Sequence, residues 1–185
     1  IISSMSAFQI KLLAIITMAI DHIGLFFFPQ FIWLRLIGRL SFPLFAWLIA
    51  NGARHTHNVR AYLVRLFVFA LLAQTPFLLA NRLVEPSFHE LNVLFTLFLG
   101  LVAIVAIKRT KKRYLWVLAT AVCAGIAQIM QTDYGGFGVV TVVLFFLFFK
   151  HFRYLVIAQS LLFLIVSLQF LLSQSISLEL FGLLS

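Results

Sequence analysis

The chain has 185 residues, of which 63% are hydrophobic and 10% are charged. A soluble domain of this length exposes much of its surface and has about a quarter of its residues charged, so this composition excludes a water-soluble fold. The apolar runs are long and continuous, whereas the strands of a membrane β-barrel alternate in polarity. The sequence therefore predicts an all-α integral membrane helix bundle that forms a single domain over residues 1–185.

The formal net charge is +9, which in a soluble protein would suggest nucleic acid as a partner. Here the basic residues lie between apolar runs, so the positive-inside rule explains them and we expect lipids, not nucleic acid, around the chain. The single cysteine, Cys123, lies in an apolar segment and excludes an internal disulfide framework. The histidines lack the spacing and the companion ligands of a metal centre, so we expect no metal.

Apolar segments of about 20 residues, the length that crosses the hydrocarbon core, predict about seven helices, with a range of six to eight. In chain order the predicted spans are residues 8–28, 31–52, 61–80, 91–107, 114–130, 137–149 and 154–172. Residues 176–184 either begin an eighth span or lie along the interface. The residues before the first span show no basic stretch and no cleavage site, so we expect that span to act as its own insertion signal.

Basic residues collect in alternate loops. Residues 108–113 contain five Lys and Arg residues, and the loops predicted on the same side hold or adjoin Lys11, Arg54, Arg60, Arg65, Lys150 and Arg153. The loops on the opposite side contain one basic residue, Arg82. By the positive-inside rule, the amino terminus and the basic loops are cytoplasmic.

The first two spans contain ionisable residues, which inside a membrane mark a functional site by default. Asp21 and His22 lie in the outward half of the first span, and Arg35 and Arg39 lie in the outward half of the second. A short turn joins the two spans, so these residues are predicted at similar depth. Asp21 is expected to pair with an arginine of the second span, with Arg39 fixing the helix geometry. His22 is expected to point elsewhere, because adjacent helical residues diverge by about 100°.

Further polar residues lie toward the outward ends of later spans. They are Gln74, Asn92, Thr96 and Asp133. Each one alone is more typical of a hydrogen bond between helices than of a site. Their common depth, together with the first two spans, predicts a polar cavity that opens outward.

A second cluster, Arg54, His55 and Arg60, follows the second span on the cytoplasmic side. One interpretation is a solvated loop that obeys the positive-inside rule. The other is a phosphate-binding site, because arginine forks match phosphate oxygens. The sequence leaves both interpretations open.

Five segments resemble the TraX family, named for the F-pilin acetylation protein, in the same order along the chain. They are KLLAIITMAIDHIG at residues 11–24, GRLSFPLFAWLIANGARHTHNVR at 38–60, LLAQTPF at 71–77, LNVLFTLFLGL at 91–101 and DYGGFGV at 133–139. The resemblance covers nearly the whole chain. Members of the family usually continue with another basic loop and a final aromatic span that contains histidine, so we expect this chain to be truncated or divergent at its carboxyl end.

The resemblance implies a bacterial inner-membrane acetyltransferase with acetyl-CoA as donor, which in the type member acts on the amino terminus of pilin. It also implies kinship with transmembrane acyltransferases that use an intramembrane histidine. By position, the catalytic role falls on His22 with Asp21 and Arg39. The acceptor is an amine, such as a pilin-like amino terminus, or a hydroxyl.

These implications and the residue pattern together assign the remaining roles. The acceptor is expected to contact Arg35, Gln74, Asn92, Thr96 and Asp133, and the CoA phosphates are expected to contact Arg54, His55 and Arg60. His22 acts either as a general base or as the carrier of an acyl group. Two other functions stay open: a proton-coupled transporter of a small solute, and a structural subunit of a conjugation or pilus apparatus.

Overall fold

The computed structural model describes the backbone of residues 6–184 and the side chains of residues 6–168. It is 80% helical, and the described part contains no strand. The helices are α1 (Ala7–Phe26), α2 (Ile32–Gly38), α3 (Ser41–His55), α4 (Val59–Arg82), α5 (Val93–Arg109), α6 (Arg113–Ile129), α7 (Gly135–Leu147) and α8 (Phe152–Leu184). The predicted helical membrane bundle is confirmed.

The second predicted span is divided in two. Helix α2 ends at Gly38, and α3 begins at Ser41. Pro43 lies in the first turn of α3, where a proline is tolerated, but it has no N–H to donate to the carbonyl of Arg39 four residues earlier. An irregular turn therefore forms at Arg39 and Leu40, although both residues keep helical dihedral angles. Residues 32–55 together are long and apolar enough for the predicted second span.

The chain divides into two compact units, one that runs to Leu147 and one that begins at Phe148. The second unit consists of α8, which continues without interruption to Leu184. Residues 176–184 therefore extend the helix that contains residues 154–172. The prediction of a single domain stays a prediction.

Three helical segments are long and apolar enough to cross a membrane: Ala7–Phe26, Ile32–His55 and Val59–Arg82. Helices α5 and α6 have 17 residues each and α7 has 13. At 1.5 Å per residue α7 is about 20 Å long, shorter than the hydrocarbon core of about 30 Å. The chain is a membrane protein, and the number of its complete crossings stays a prediction.

Helix α5 is the centre of the first unit and packs against α3, α4, α6 and α7. It is apolar on every side, as a helix surrounded by other helices must be, and Leu97, Leu101 and Ile104 have almost no exposed surface. Gly100 lets α7 approach, since a Cβ placed there would lie 2.8 Å from the Cβ of Val142.

One end of the first unit carries the positive charge, and we call residues 54–60 and 108–113 the basic end. The Lys108 ammonium donates a 2.9 Å hydrogen bond to the carbonyl of Ala53, near the carboxyl end of α3. The Arg54 guanidinium donates to the carbonyl of Phe146, at the end of α7, and lies over the Phe146 ring. Cations at these positions complement the negative ends of the helix dipoles.

The opposite end is formed by residues 83–92 and 130–134, which we call the acidic end. These two loops meet in an isolated β-bridge between Leu91 and Thr132. The Leu91 N–H donates to Gln131 at 3.0 Å, and the Asp133 N–H donates to Leu91 at 2.8 Å. The bridge therefore holds the two loops together, and Glu90 and Asp133, one from each loop, line the same space.

Replacing Gly100 tests the central packing. In Gly100→Ala the new methyl group meets Val142, so we expect a loss of about 1–3 kcal/mol of unfolding free energy. The matched control is Gly125→Ala on exposed α6, where an added Cβ meets nothing within 4 Å. That change is expected to stabilise the helix by up to about 1 kcal/mol. Thermal unfolding in detergent measures both, and equal midpoints would contradict the close approach of α5 and α7.

Candidate functional site

A cavity of about 640 Å³ lies at the acidic end of the first unit. Helices α1 to α5 and the two loops of that end contribute to its walls. Of the residues predicted for the site, five line this cavity: Asp21, His22, Arg35, Asn92 and Asp133. The sequence pattern predicts a polar cavity, and the structure contains a cavity here whose walls are mostly apolar, with charged side chains among them.

Asp21 forms an ion pair with Arg35, with 2.8 Å between Oδ2 and Nη1. The pair connects α1 to α2, and both side chains are about three-quarters buried. Gly38 makes the approach possible, because a Cβ at that position would overlap the side chain of Asp21. Gly24 lies on the other helix, where an added Cβ would come within 2.7 Å of the Leu34 Cβ. Two small residues thus allow the helices to approach each other at the depth of the charges.

Arg39 was expected beside Asp21, and that expectation is wrong. Its side chain is exposed and lies outside the cavity lining. Arg39 lies one helical turn beyond Arg35, since its N–H donates to the carbonyl of Arg35 at 3.0 Å. Its positive charge still acts on the cavity from there, because it lowers the pKa of Asp133 against the larger effects that raise it. The pairing of Asp21 with an arginine of the second span is correct, and the partner is Arg35.

His22 lines the same cavity as Asp21, although their side chains leave α1 in different directions. Its Nδ1 lies 2.8 Å from the carbonyl oxygen of Met18, one turn earlier. A carbonyl oxygen accepts hydrogen bonds and cannot donate, so Nδ1 carries the proton in this contact. In the neutral ring Nε2 then has the lone pair, which is the arrangement that a general base requires.

Asn92 is buried at the start of α5 and is held by α4. Its side-chain nitrogen donates to the carbonyl of Ala70 at 2.8 Å and to Gln74 Oε1 at 2.9 Å. The backbone N–H of Asn92 donates to the same Gln74 oxygen. Gln74 in turn donates to the carbonyl of Glu90 at 3.0 Å. Gln74 therefore positions Asn92 and the acidic end and is absent from the cavity lining.

Thr96 was predicted to contact an acceptor, but it is fully buried between helices. Its hydroxyl donates to the hydroxyl of Thr132 at 2.9 Å. It also lies against Gly138, where an added Cβ would overlap its methyl group. The structure thus gives Thr96 a packing role and places it outside the cavity.

Asp133 lies at the mouth of the cavity, beside Glu90. Its side chain is accessible, but the walls of the cavity partly remove the carboxyl group from bulk water. This desolvation, together with the negative charges of Glu90 and Asp21, raises the pKa of Asp133 to about 6. Both residues also line a second cavity of about 450 Å³, which Gln128 and Gln131 share. The two cavities meet at this pair of carboxylates.

Glu85 and Glu90 line the main cavity, and the assignment of site residues from the sequence missed both. Their segment reads as an exposed polar loop, which normally needs no functional explanation. The available signal was composition, because four of the five acidic residues in the chain lie in or beside the loops of one end.

The residues predicted to bind CoA phosphates lie at the basic end. His55 and Arg60 are exposed there, and His55 Nδ1 donates to the carbonyl of Asn51 at 2.9 Å. Arg54 is half-buried against Phe146. The structure thus separates the three, with two side chains accessible and one holding helices together.

The chain was also compared with known proteins. The family model described as TraX protein matches residues 6–185. A probable fimbrial assembly protein FimC, serogroup H1, of Dichelobacter nodosus is 39% identical over 110 residues, which cover 53% of this chain and 45% of that protein. Protein TraX of Escherichia coli is 38% identical over 88 residues, covering 46% of this chain and 34% of that protein.

An uncharacterised protein of Rickettsia prowazekii is 28% identical over 91 residues, which cover 49% of this chain and 33% of that protein. The matched segments therefore span less than half the length of each of these curated relatives. No solved structure matches the chain.

Comparing the two arginines of the second span tests the ion pair. Arg35→Gln leaves Asp21 without its partner in a partly buried site, so we expect a loss of about 1 kcal/mol of unfolding free energy. Arg39→Gln is the matched control, and its exposed position predicts a change within about 0.5 kcal/mol. Thermal unfolding in detergent measures both variants, and a larger loss in Arg39→Gln would show that the wrong arginine has been assigned to Asp21.

The raised pKa of Asp133 makes a prediction about pH. A carboxyl whose folded pKa of about 6 lies above its unfolded value stabilises the fold when protonated, and this contribution is lost as the pH rises through about 6. The side chain of the Asp133→Asn variant stays neutral at every pH. The unfolding free energy of this variant, measured relative to the wild type, should therefore increase between about pH 4 and about pH 8. Gln128→Ala, a neutral neighbour whose side chain accepts a hydrogen bond from the Gly136 N–H, should show a difference that is independent of pH. A pH-independent difference for Asp133→Asn would contradict the assignment.

Proposed function

The chain belongs to the TraX family, and from this premise we propose that it is a membrane acyltransferase. In this proposal it moves an acetyl group from acetyl-CoA to an acceptor amine in the cavity at the acidic end. The name of one relative, a probable fimbrial assembly protein, supports an acceptor connected with pili. The acceptor amine thus belongs to a pilin-like protein, and the chain lies in the bacterial inner membrane, where cytoplasmic acetyl-CoA reaches the basic end.

The observation that supports this function most directly is the state of His22. Its hydrogen bond to Met18 fixes the proton on Nδ1 and leaves Nε2 as the base, in a ring that lines a cavity large enough for a substrate. A residue that only joined helices would need neither the cavity nor a defined tautomer. The ion pair of Asp21 and Arg35 holds the same turn of α1 in place.

The proposed reaction needs a base and a stabiliser of negative charge. The amine nitrogen attacks the thioester carbon, an N–C bond forms, and His22 Nε2 accepts the proton that the amine loses. The C–S bond then breaks, and the CoA thiolate receives a proton from the His22 imidazolium. Arg35 lines the cavity and has five N–H donors, of which Asp21 accepts from Nη1, so Arg35 is the candidate to stabilise the developing oxyanion.

The donor is proposed to bind with its phosphates at the basic end. Arg60 and His55 are exposed there, near the five basic residues of positions 108–113. Helix α3 connects this end to the cavity, since it begins at Ser41, which lines the cavity, and ends at His55. The 14 steps between them correspond to about 20 Å along the helix. The pantetheine arm of the donor must cover this distance between helices to bring the thioester to His22.

Replacing His22 tests the proposal. His22→Ala in proteoliposomes should lower the transfer of isotope-labelled acetyl groups from acetyl-CoA to a peptide amine by at least about 100-fold, because the general base is lost. The readout is mass spectrometry of the peptide. His151→Ala is the matched control, since His151 is exposed, lies outside the basic end and the cavity lining, and should leave the reaction within about twofold of the wild type.

Two results would contradict the proposal. Full transfer by His22→Ala would remove His22 from the chemistry, and absence of transfer by the wild-type protein with every peptide amine offered would remove the activity. Thermal unfolding of both variants controls for misfolding. His22→Ala should unfold close to the wild type, because the Asp21–Arg35 pair remains.

A further inference from the structure

The main cavity is a cleft between two helices that pack on different neighbours. Helix α1 packs on α2 and α3, whereas α4 packs on α5. Met18 and Leu25 of α1 and Ala73 and Phe77 of α4 line opposite sides of the space, and α3 and α5 close its back. Within the unit that ends at Leu147, the described helices leave the side between α1 and α4 uncrossed. The outer faces of both helices are exposed and apolar, which is the character of a surface in contact with lipid.

The upper part of the cleft is negatively charged. Four of the five acidic residues of the chain line it, although the protein as a whole carries a net charge of +9. Asp21 is paired with Arg35, the one Lys or Arg side chain in the lining. Glu85, Glu90 and Asp133 remain, and we call these three residues the rim. The bridge between Leu91 and Thr132 joins the two loops that carry Glu90 and Asp133, and the charges of these two residues interact.

An apolar lower wall and a negative rim together define the shape and charge of an occupant. Its body must be apolar, because Met18, Leu25 and Phe77 surround it, and its end at the rim must be positive. A phospholipid with an amine headgroup also carries a phosphate, which the rim would repel. An apolar helix has a positive end at its amino terminus, where the terminal ammonium and the helix dipole have the same sign. The charges therefore favour a protein helix over a lipid.

We propose that the cleft between α1 and α4 admits an apolar helix of a partner protein sideways from the bilayer, with its amino-terminal ammonium at the rim. This inference rests on the proposed function, because it identifies how the acceptor amine reaches His22. It assigns Glu85, Glu90 and Asp133 a new role, which is to select a positively charged acceptor. The rim holds the ammonium near His22, and the ammonium releases one proton to water at the mouth of the cavity before the neutral amine attacks. His22 then accepts the second proton, the one that the amine loses during the transfer.

The test measures binding in the absence of any acyl donor, so it does not depend on catalysis. A synthetic apolar helix of about 20 residues, fluorescently labelled at its carboxyl end, is reconstituted with the purified protein in phosphatidylcholine vesicles. Energy transfer to a dye on the protein reports binding. The peptide with a free amino terminus is expected to bind at least about tenfold more tightly than the same peptide with an acetylated terminus, because acetylation removes the charge.

Matched substitutions test the cleft and the rim separately. Ala73→Trp fills the cleft and should weaken binding of the free peptide at least about tenfold, whereas Leu72→Trp, on the exposed lipid side of α4, should leave it within about twofold. Glu90→Gln combined with Asp133→Asn should remove most of the preference for the free terminus. Arg65→Gln also changes the net charge, lies outside the cleft lining and should preserve the preference.

Several results would overturn the inference. They are equal binding of the free and acetylated peptides by the wild type, unchanged binding in Ala73→Trp, and displacement of the peptide when phosphatidylethanolamine is added to the vesicles. Its failure is distinguishable from failure of the proposed function. Acetyl transfer to a short soluble amine without helix binding would contradict this inference alone. Helix binding without any transfer would contradict the proposed function alone.

Discussion

The ion pair between Asp21 and Arg35 is the interaction on which the candidate site depends. Charged side chains at membrane depth are costly, and removing one partner of a buried pair leaves the other uncompensated. The 2.8 Å contact therefore fixes the depth and rotation of α1 relative to α2. Gly38 and Gly24 permit the close approach of the helices. His22 follows Asp21 directly in the sequence. The Asp21–Arg35 contact therefore also determines where the His22 ring lies and which carbonyl accepts the hydrogen bond from its Nδ1.

The distribution of charge matches the chemistry of the proposed reaction. Cations lie at the basic end, where Lys108 and Arg54 also complement the carboxyl ends of α3 and α7. Carboxylates gather at the acidic end, fixed by the backbone bridge that joins residues 83–92 to residues 130–134. A donor with phosphate groups suits the first end and an acceptor with an ammonium group suits the second. The cavity and α3 connect the two ends, so the polarity of the bundle favours a donor and an acceptor that approach from opposite sides.

Much of this arrangement was predictable from the sequence, because it follows from local rules. Apolar length gave the helices, and the short turn after α1 placed Asp21 and the arginines of the second span at one depth. The choice between Arg35 and Arg39 was not predictable from spacing alone, since both arginines follow one another by a helical turn and the packing of α1 against α2 at Gly38 brings Arg35 to Asp21. Thr96 was misplaced for a related reason. Its depth was correct, but the close approach of Gly138 turns it into a contact between helices. The roles of Glu85 and Glu90 depend on how two distant loops pair, and no local pattern encodes that pairing.

The most direct test of the account is a structure of the protein in lipid with a non-transferable analogue of acetyl-CoA. The central claim is that the acyl group is transferred in the cavity at the acidic end, beside His22. The account predicts density for the adenine nucleotide at the basic end near Arg60 and density for the acyl carbonyl within hydrogen-bonding distance of Arg35. Density for the acyl group outside the cavity, in a complex with saturating analogue, would contradict it.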